Sequence, residues 1–187
     1  MKTLVRITAA IIVSSLMALP SLAATVSLVP STNAVSEGES FTVILVMNAP
    51  DAPGNHPGIF RGKVEVEFDE LLVDYVGFEY NSPATEFGGT TIDAGSVKLG
   101  FDNSIDVAII GTFTFNTTGP AGSTISLGLD DAIPLIGTFF NTDPIVKFEP
   151  DFSGAEVSVV PIPAAVWLFA SGLGMLGFTR RKQILAS

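Results

Sequence analysis

The sequence predicts an all-β protein: an antiparallel β-sandwich of about nine strands over residues 24–159, followed by one C-terminal transmembrane helix. Three observations carry this. Apolar residues recur at every second position through the middle of the chain, turn residues separate these runs, and no run there has the spacing of an amphipathic helix. That combination argues two packed antiparallel sheets.

The elements follow in order along the chain. Lys2 and Arg6 make a basic start, residues 7–19 a mostly apolar core, and Ser21-Leu22-Ala23 puts small residues where a signal peptidase reads them. Pro20 ends the apolar run before it reaches membrane-spanning length. Residues 1–23 are therefore expected to be a cleaved secretory signal, with the cut between Ala23 and Ala24. In residues 41–47, Val43, Ile44, Leu45 and Val46 are apolar on both parities, which predicts a strand in mid-sheet covered on both sides.

Val64, Val66 and Phe68 alternate with Lys63, Glu65, Glu67 and Asp69, giving one apolar and one charged face. The pattern returns in Val97, Leu99 and Phe101, in Phe113 and Phe115, and in Ile125, Leu127 and Leu129, each interleaved with polar residues or glycine. Turns are expected at Glu37-Gly38, across residues 51–58, and at Asn81-Ser82-Pro83, Gly88-Gly89 and Gly119-Pro120-Ala121-Gly122.

The last element is apolar throughout. No charge occurs from residue 157 to 179, and about 20 apolar residues at about 1.5 Å each cross a bilayer. Pro161 keeps the preceding chain extended and Pro163 suits a first helical turn, so the helix is expected to start at Pro163. Arg180, Arg181 and Lys182 are then expected on the cytoplasmic side, which leaves the rest of the chain facing outward.

Charge narrows the partners. Two of the nine Lys and Arg lie in the signal and three in the tail, so Arg61, Lys63, Lys98 and Lys147 stand against all nineteen acids, 4 − 19 = −15 for the middle of the chain. Such a surface repels phosphate backbones, which excludes nucleic acid as a partner. The chain has no cysteine, so the sandwich must hold by packing alone.

Residues able to do chemistry are few. His56 sits in a proline-containing loop with no Cys and no second His to share a metal or serve a nucleophile, and is read as a solvated loop residue. Asp69-Glu70 and Asp130-Asp131 are sequence neighbours that point apart, whereas glycoside hydrolysis needs two carboxyl groups facing one cleft. Asp69 is expected to cap the turn after its strand. No cofactor is implied. Asp130 and Asp131, with Asp102 or Asp106 if the fold brings them near, are the candidate ligands for a calcium ion, which needs several oxygen donors from loops.

Val160-Pro161-Ile162-Pro163-Ala164, the apolar segment and the terminal Arg180-Arg181-Lys182 together resemble the PEP-CTERM sorting signal in its Val-Pro-aliphatic-Pro-Ala variant. The resemblance covers residues 160–187. It implies recognition by the membrane enzyme exosortase, transient anchoring in the inner membrane, removal of the tail near the motif, and display at the cell surface or release outside the cell. Ile162 stands where a Glu is typical, which points to a subtype.

A second resemblance covers most of residues 26–159. Gly38, Phe41 and Val43, then Gly62 with Val64, Val66, Phe68, Asp69 and Leu72, then Val76 look like the first half of a cohesin domain. Val97, Phe101 and Asp102, then Gly111, Phe113 and Phe115, then Gly122, Ser123 and Ile125 continue it in order. The resemblance implies a nine-stranded jelly-roll that binds a dockerin-bearing protein or serves in a surface scaffold. The alternative is a carbohydrate-binding module acting on exopolysaccharide, which would want a planar strip of exposed aromatics. Outside the two termini the chain offers Tyr75 and Tyr80 but no Trp. A jelly-roll hydrolase fails for lack of a nucleophile–base pair or metal cluster.

Overall fold

The computed structural model describes residues 24–49, 60–103, 107–133, 137–142 and 145–162, together with Ser171. The expected signal with Ala23, His56 and its loop, Asp106, Pro163, Ala164 and the terminal basic cluster lie outside the described residues. Thirteen strands run through these residues in the order β1 (Thr25–Pro30), β2 (Ala34–Ser36), β3 (Ser40–Asn48), β4 (Phe60–Glu67), β5 (Val73–Tyr80), β6 (Thr85–Asp93), β7 (Ser96–Asn103), β8 (Val107–Thr117), β9 (Thr124–Asp131), β10 (Phe140–Thr142), β11 (Ile145–Lys147), β12 (Asp151–Ser153) and β13 (Ala155–Val160). The expectation of about nine strands missed β2, β10, β11 and β12. Each is three residues long, too short to show a period of two.

Two sheets face each other. One has five strands in the order β12-β1-β3-β8-β5; in the other, β11-β10-β4-β9-β13-β2 form a path, with β7 on the free side of β4 and β6 beyond it. The sandwich is not wholly antiparallel, because β12 joins β1 and β2 joins β13 in parallel. Long intervening chain makes both parallel pairings possible, since such pairs need a crossover rather than a hairpin.

Alternation sets the inward face. Val64, Val66, Val97, Leu99, Phe101, Phe113, Phe115, Ile125 and Leu127 are all buried, while Phe68 and Leu129 pack against that core from its margin. Aromatic rings fill its centre. Phe115 lies 5.7 Å from Phe41 and 5.6 Å from Phe68 between ring centroids, and Phe101 lies 6.0 Å from Phe139, within the range of favourable ring pairs. Gly62 belongs to this packing, because a Cβ there would collide with the ring of Phe139.

Two expectations are corrected. β3 does lie in mid-sheet, but only Phe41, Val43, Leu45 and Met47 are buried; Thr42, Ile44 and Val46 are half-buried, since the described residues supply two layers and no third. Gly88-Gly89 is not a turn. Both glycines have positive φ inside β6, and the register to β7 shifts between Glu86 and Thr90, so the pair forms a bulge that leaves the strand running. No helix among the described residues is long and apolar enough to cross a membrane, and the expected span lies outside them except for Ser171.

Candidate binding face

The outward face of the eight-stranded sheet is built on β4. Phe60, Gly62, Val64 and Val66 are buried, so Arg61, Lys63, Glu65 and Glu67 point away from the core. Register extends the same face sideways, because directly opposed residues in a sheet share a side. Lys98 of β7 and Asp130 of β9 both oppose Glu65, and Asp102 of β7 opposes Arg61. Phe140 of β10 opposes Arg61 from the other side and is itself opposed by Lys147 of β11. Arg61, Lys63, Lys98 and Lys147, the four cations between the two chain ends, thus all belong to one face.

That face is ordered by side-chain contacts. The Arg61 guanidinium donates to both Asp102 carboxylate oxygens, at 2.6 and 3.0 Å, and lies 4.5 Å from the centre of the Phe87 ring. The hydrogen bond to Asp102 holds the Arg61 pKa above its ordinary value. Lys98 sits 3.3 Å from Glu65. Beneath Phe87, β7 carries Gly100, where a Cβ would strike the Phe87 carbonyl, so a glycine lets β6 lie close. Lys63 forms no ion pair among the described residues and remains the cation of this face open to a partner.

The sequence-derived candidates are dispersed. Asp130 is exposed, and its Oδ1 accepts the Asp131 N–H at 2.7 Å. The buried Asp131 carboxylate accepts from the Ile133 N–H at 2.7 Å, the Thr138 N–H at 2.8 Å and the Thr138 hydroxyl at 3.0 Å, so it ties β9 to the segment before β10. Asp102 is committed to Arg61. No group of three or more His, Cys, Asp or Glu side chains placed to hold a metal occurs among the described residues. Asp69 caps its turn as expected, accepting the Leu71 N–H at 2.9 Å.

Tyr75 and Tyr80 do not form an exposed strip. Both pack against the core margin, and the Tyr80 hydroxyl donates to the Gly100 carbonyl at 2.8 Å. Burial pushes the Tyr80 hydroxyl up to about 12 and raises Tyr75 as well. Ala24 is buried and its carbonyl accepts the Asp151 N–H at 2.8 Å. Val160 closes β13 opposite Ser36 of β2, with Pro161 and Ile162 exposed immediately after it.

Sequence reasoning missed the gathering of cations. Lys63 on a predicted charged face was a visible start, with Arg61 two residues before it, but Lys98 and Lys147 join it only through register.

No family model and no curated relative matches the chain. Solved structures do. The arrangement is similar to the sixth cohesin of Acetivibrio cellulolyticus scaffoldin B, solved in complex with a Cel5 dockerin, at 16% identity and a TM-score of 0.58, covering 73% of this chain and 99% of that one. The sandwich has a cohesin fold. A cohesin module from a Clostridium perfringens family 33 glycoside hydrolase matches this cohesin-like sandwich at 13% identity and a TM-score of 0.57, covering 75% and 98% of the two chains. The seventh ScaB type I cohesin of Pseudobacteroides cellulosolvens matches at 14% and 0.56, covering 74% and 94%.

Proposed function

We propose that this chain is a non-catalytic, exported surface protein whose cohesin-like sandwich binds a dockerin-type protein partner through the outward face of β6, β7, β4 and β9. The observation that carries the reading is the charged mosaic of that face, where Arg61, Lys63 and Lys98 stand among Glu65, Glu67, Asp102 and Asp130 and Lys63 has no ion-pair partner among the described residues. A partner that presents an acid to Lys63 and cations to Glu67 and Asp130 meets complementary charge there, which fixes orientation more than it adds affinity. The fold adds support, since structural neighbours at 16% and 10% identity are cohesins solved in complex with dockerins.

Export and sorting complete the proposal. Residues 1–23 direct secretion. Val160-Pro161-Ile162-Pro163-Ala164 with the apolar segment and Arg180-Arg181-Lys182 present the chain to an exosortase, which removes the tail and passes the sandwich from the inner membrane to the surface or the extracellular polysaccharide matrix.

Two experiments test the two halves. A panel of purified dockerin modules titrated against the immobilised full chain is expected to include a binder whose affinity falls at least tenfold in Lys63→Glu; equal binding by the variant rejects this face. Intact mass of the protein from its host, with and without the exosortase gene, is expected to show loss of both ends only when the enzyme is present. A tail retained in both strains leaves an anchored domain and removes the matrix role.

A further inference from the structure

β5 ends the five-stranded sheet and β6 ends the other, and neither pairs with a strand on its outer side among the described residues. A groove of about 360 Å³ opens between them, within the size range of ligand-binding clefts. Part of its lining is aromatic: Phe68 and Tyr75 are half-buried and stack with ring centroids 6.4 Å apart and planes at 30°. Val76 of β5 and Ile92 of β6 line it as well, 56% and 63% exposed. The register of β5 to β8 shifts between Tyr75 and Gly77, so Val76 is the extra residue of a bulge, a device that re-aims side chains at sheet edges.

The polar part of the lining is acidic. Glu70, Asp74 and Asp93 all border the groove, and no Lys or Arg does. None of these three carboxylates has a hydrogen bond or ion pair among the described residues. Other acids of the sandwich are committed: Glu65 to Lys98, Asp102 to Arg61, and Asp69 and Asp131 to backbone N–H groups. The Tyr75 hydroxyl is likewise without a hydrogen-bond partner among the described residues, whereas that of Tyr80 donates to the Gly100 carbonyl. Acidic charge is general on this domain; the groove differs in joining open carboxylates to uncovered apolar side chains and an aromatic wall.

We propose that this groove receives an arginine side chain carried by an extended, aliphatic segment of a partner protein. Three carboxylates call for a cation, and a guanidinium also stacks on aromatic rings and donates from a planar fork, which an ammonium does not. A free small cation would leave Val76 and Ile92 uncovered, whereas aliphatic residues flanking the arginine cover both. The outer sides of β5 and β6 offer an extended chain their backbone groups, the usual means by which sheet edges hold peptides. This occupant is distinct from the one proposed for the face built on β4, and the two are separable by mutation.

The test uses the full-length chain in detergent micelles and three fluorescein-labelled heptapeptides, each with a central arginine flanked by valine, isoleucine or threonine, read by anisotropy. At least one is expected to bind saturably, and its counterpart with citrulline in place of arginine to bind about tenfold more weakly or worse. Asp74→Lys should weaken binding by a similar factor at an unchanged urea midpoint. Glu156→Lys makes the same charge change on β13, four strands from β6 in the same sheet, and should weaken it by less than about twofold. Ile92→Ser, which alters no charge, should cost about threefold. Lys63→Glu should not weaken it at all. The proposal is overturned by absence of saturable binding, by equal binding of the citrulline peptide, or by equal losses in Asp74→Lys and Glu156→Lys. Loss in Lys63→Glu would move the peptide to the β4 face, and free arginine competing as well as the peptide would make the occupant a small cation; either result also overturns it.

Discussion

The two outer faces of this sandwich rest on one core and differ in almost every other respect. Over β4 and β7, cations and acids alternate across strands, Arg61 grips Asp102, and Lys98 meets Glu65. Over β3 and β8, directly opposed residues such as Ile44 and Thr112 carry no charge at all. The fold cannot account for the difference, since both faces are simply the outward parity of buried strands. The difference lies in the outward-facing residues themselves, a charged mosaic on one sheet and Val, Ile, Ser and Thr on the other.

The largest test of that comparison strikes the core beneath both faces. Phe115 packs within 6.1 Å of Phe41, Phe68, Phe113 and Tyr75. Phe115→Ala is expected to cost about 3–5 kcal/mol in urea unfolding. Both sheets should lose hydrogen-exchange protection together, and loss in one sheet alone would show that the faces do not share a core. Asp131→Ala comes next. Removing its carboxylate strands two N–H groups, while the Thr138 hydroxyl keeps the Lys63 carbonyl as its acceptor at 2.9 Å; the expected cost is about 2–3 kcal/mol by calorimetry, concentrated where β9 meets the segment before β10.

A smaller change sharpens the contrast between binding and stability. Lys63→Glu should shift unfolding by less than about 0.5 kcal/mol, as surface changes do, while weakening the proposed partner. A stability loss several times larger would make Lys63 a structural residue. The smallest effect concerns pH. Tyr80 titrates near its ordinary value when unfolded and at about 12 when folded, so above about pH 10 the unfolded chain holds fewer protons than the folded one. Stability present below pH 10 should decline between about pH 10 and 12. Tyr80→Phe should flatten that decline in thermal melts, and an unaltered slope would place the titrating group elsewhere.

Much of this architecture was legible in the sequence because a period of two is a direct readout of a half-buried strand. Val64, Val66, Leu99, Phe113 and Ile125 all face inward as the alternation requires. Short strands escaped, since three residues cannot display a period. Gly88-Gly89 misled for a physical reason: two glycines permit positive φ equally in a turn and in a bulge, and only pairing with β7 distinguishes them. The doubly apolar β3 was read correctly as central, but its second apolar side turned out to be open surface. The cationic face was largely hidden, because Lys98 and Lys147 reach Arg61 and Lys63 through register, a relation between distant segments that no local pattern records.

β13 stays paired to its final residue, Val160, and the helix expected from the sequence starts at Pro163. Only Pro161 and Ile162 separate them, which at about 3.5 Å per extended residue is a leash of about 7 Å. With that helix in a bilayer, the sandwich would ride directly on the headgroups instead of swaying above them. A processing enzyme would then have to work in the crevice between folded protein and lipid, and severing the leash would free a body that had been held almost motionless.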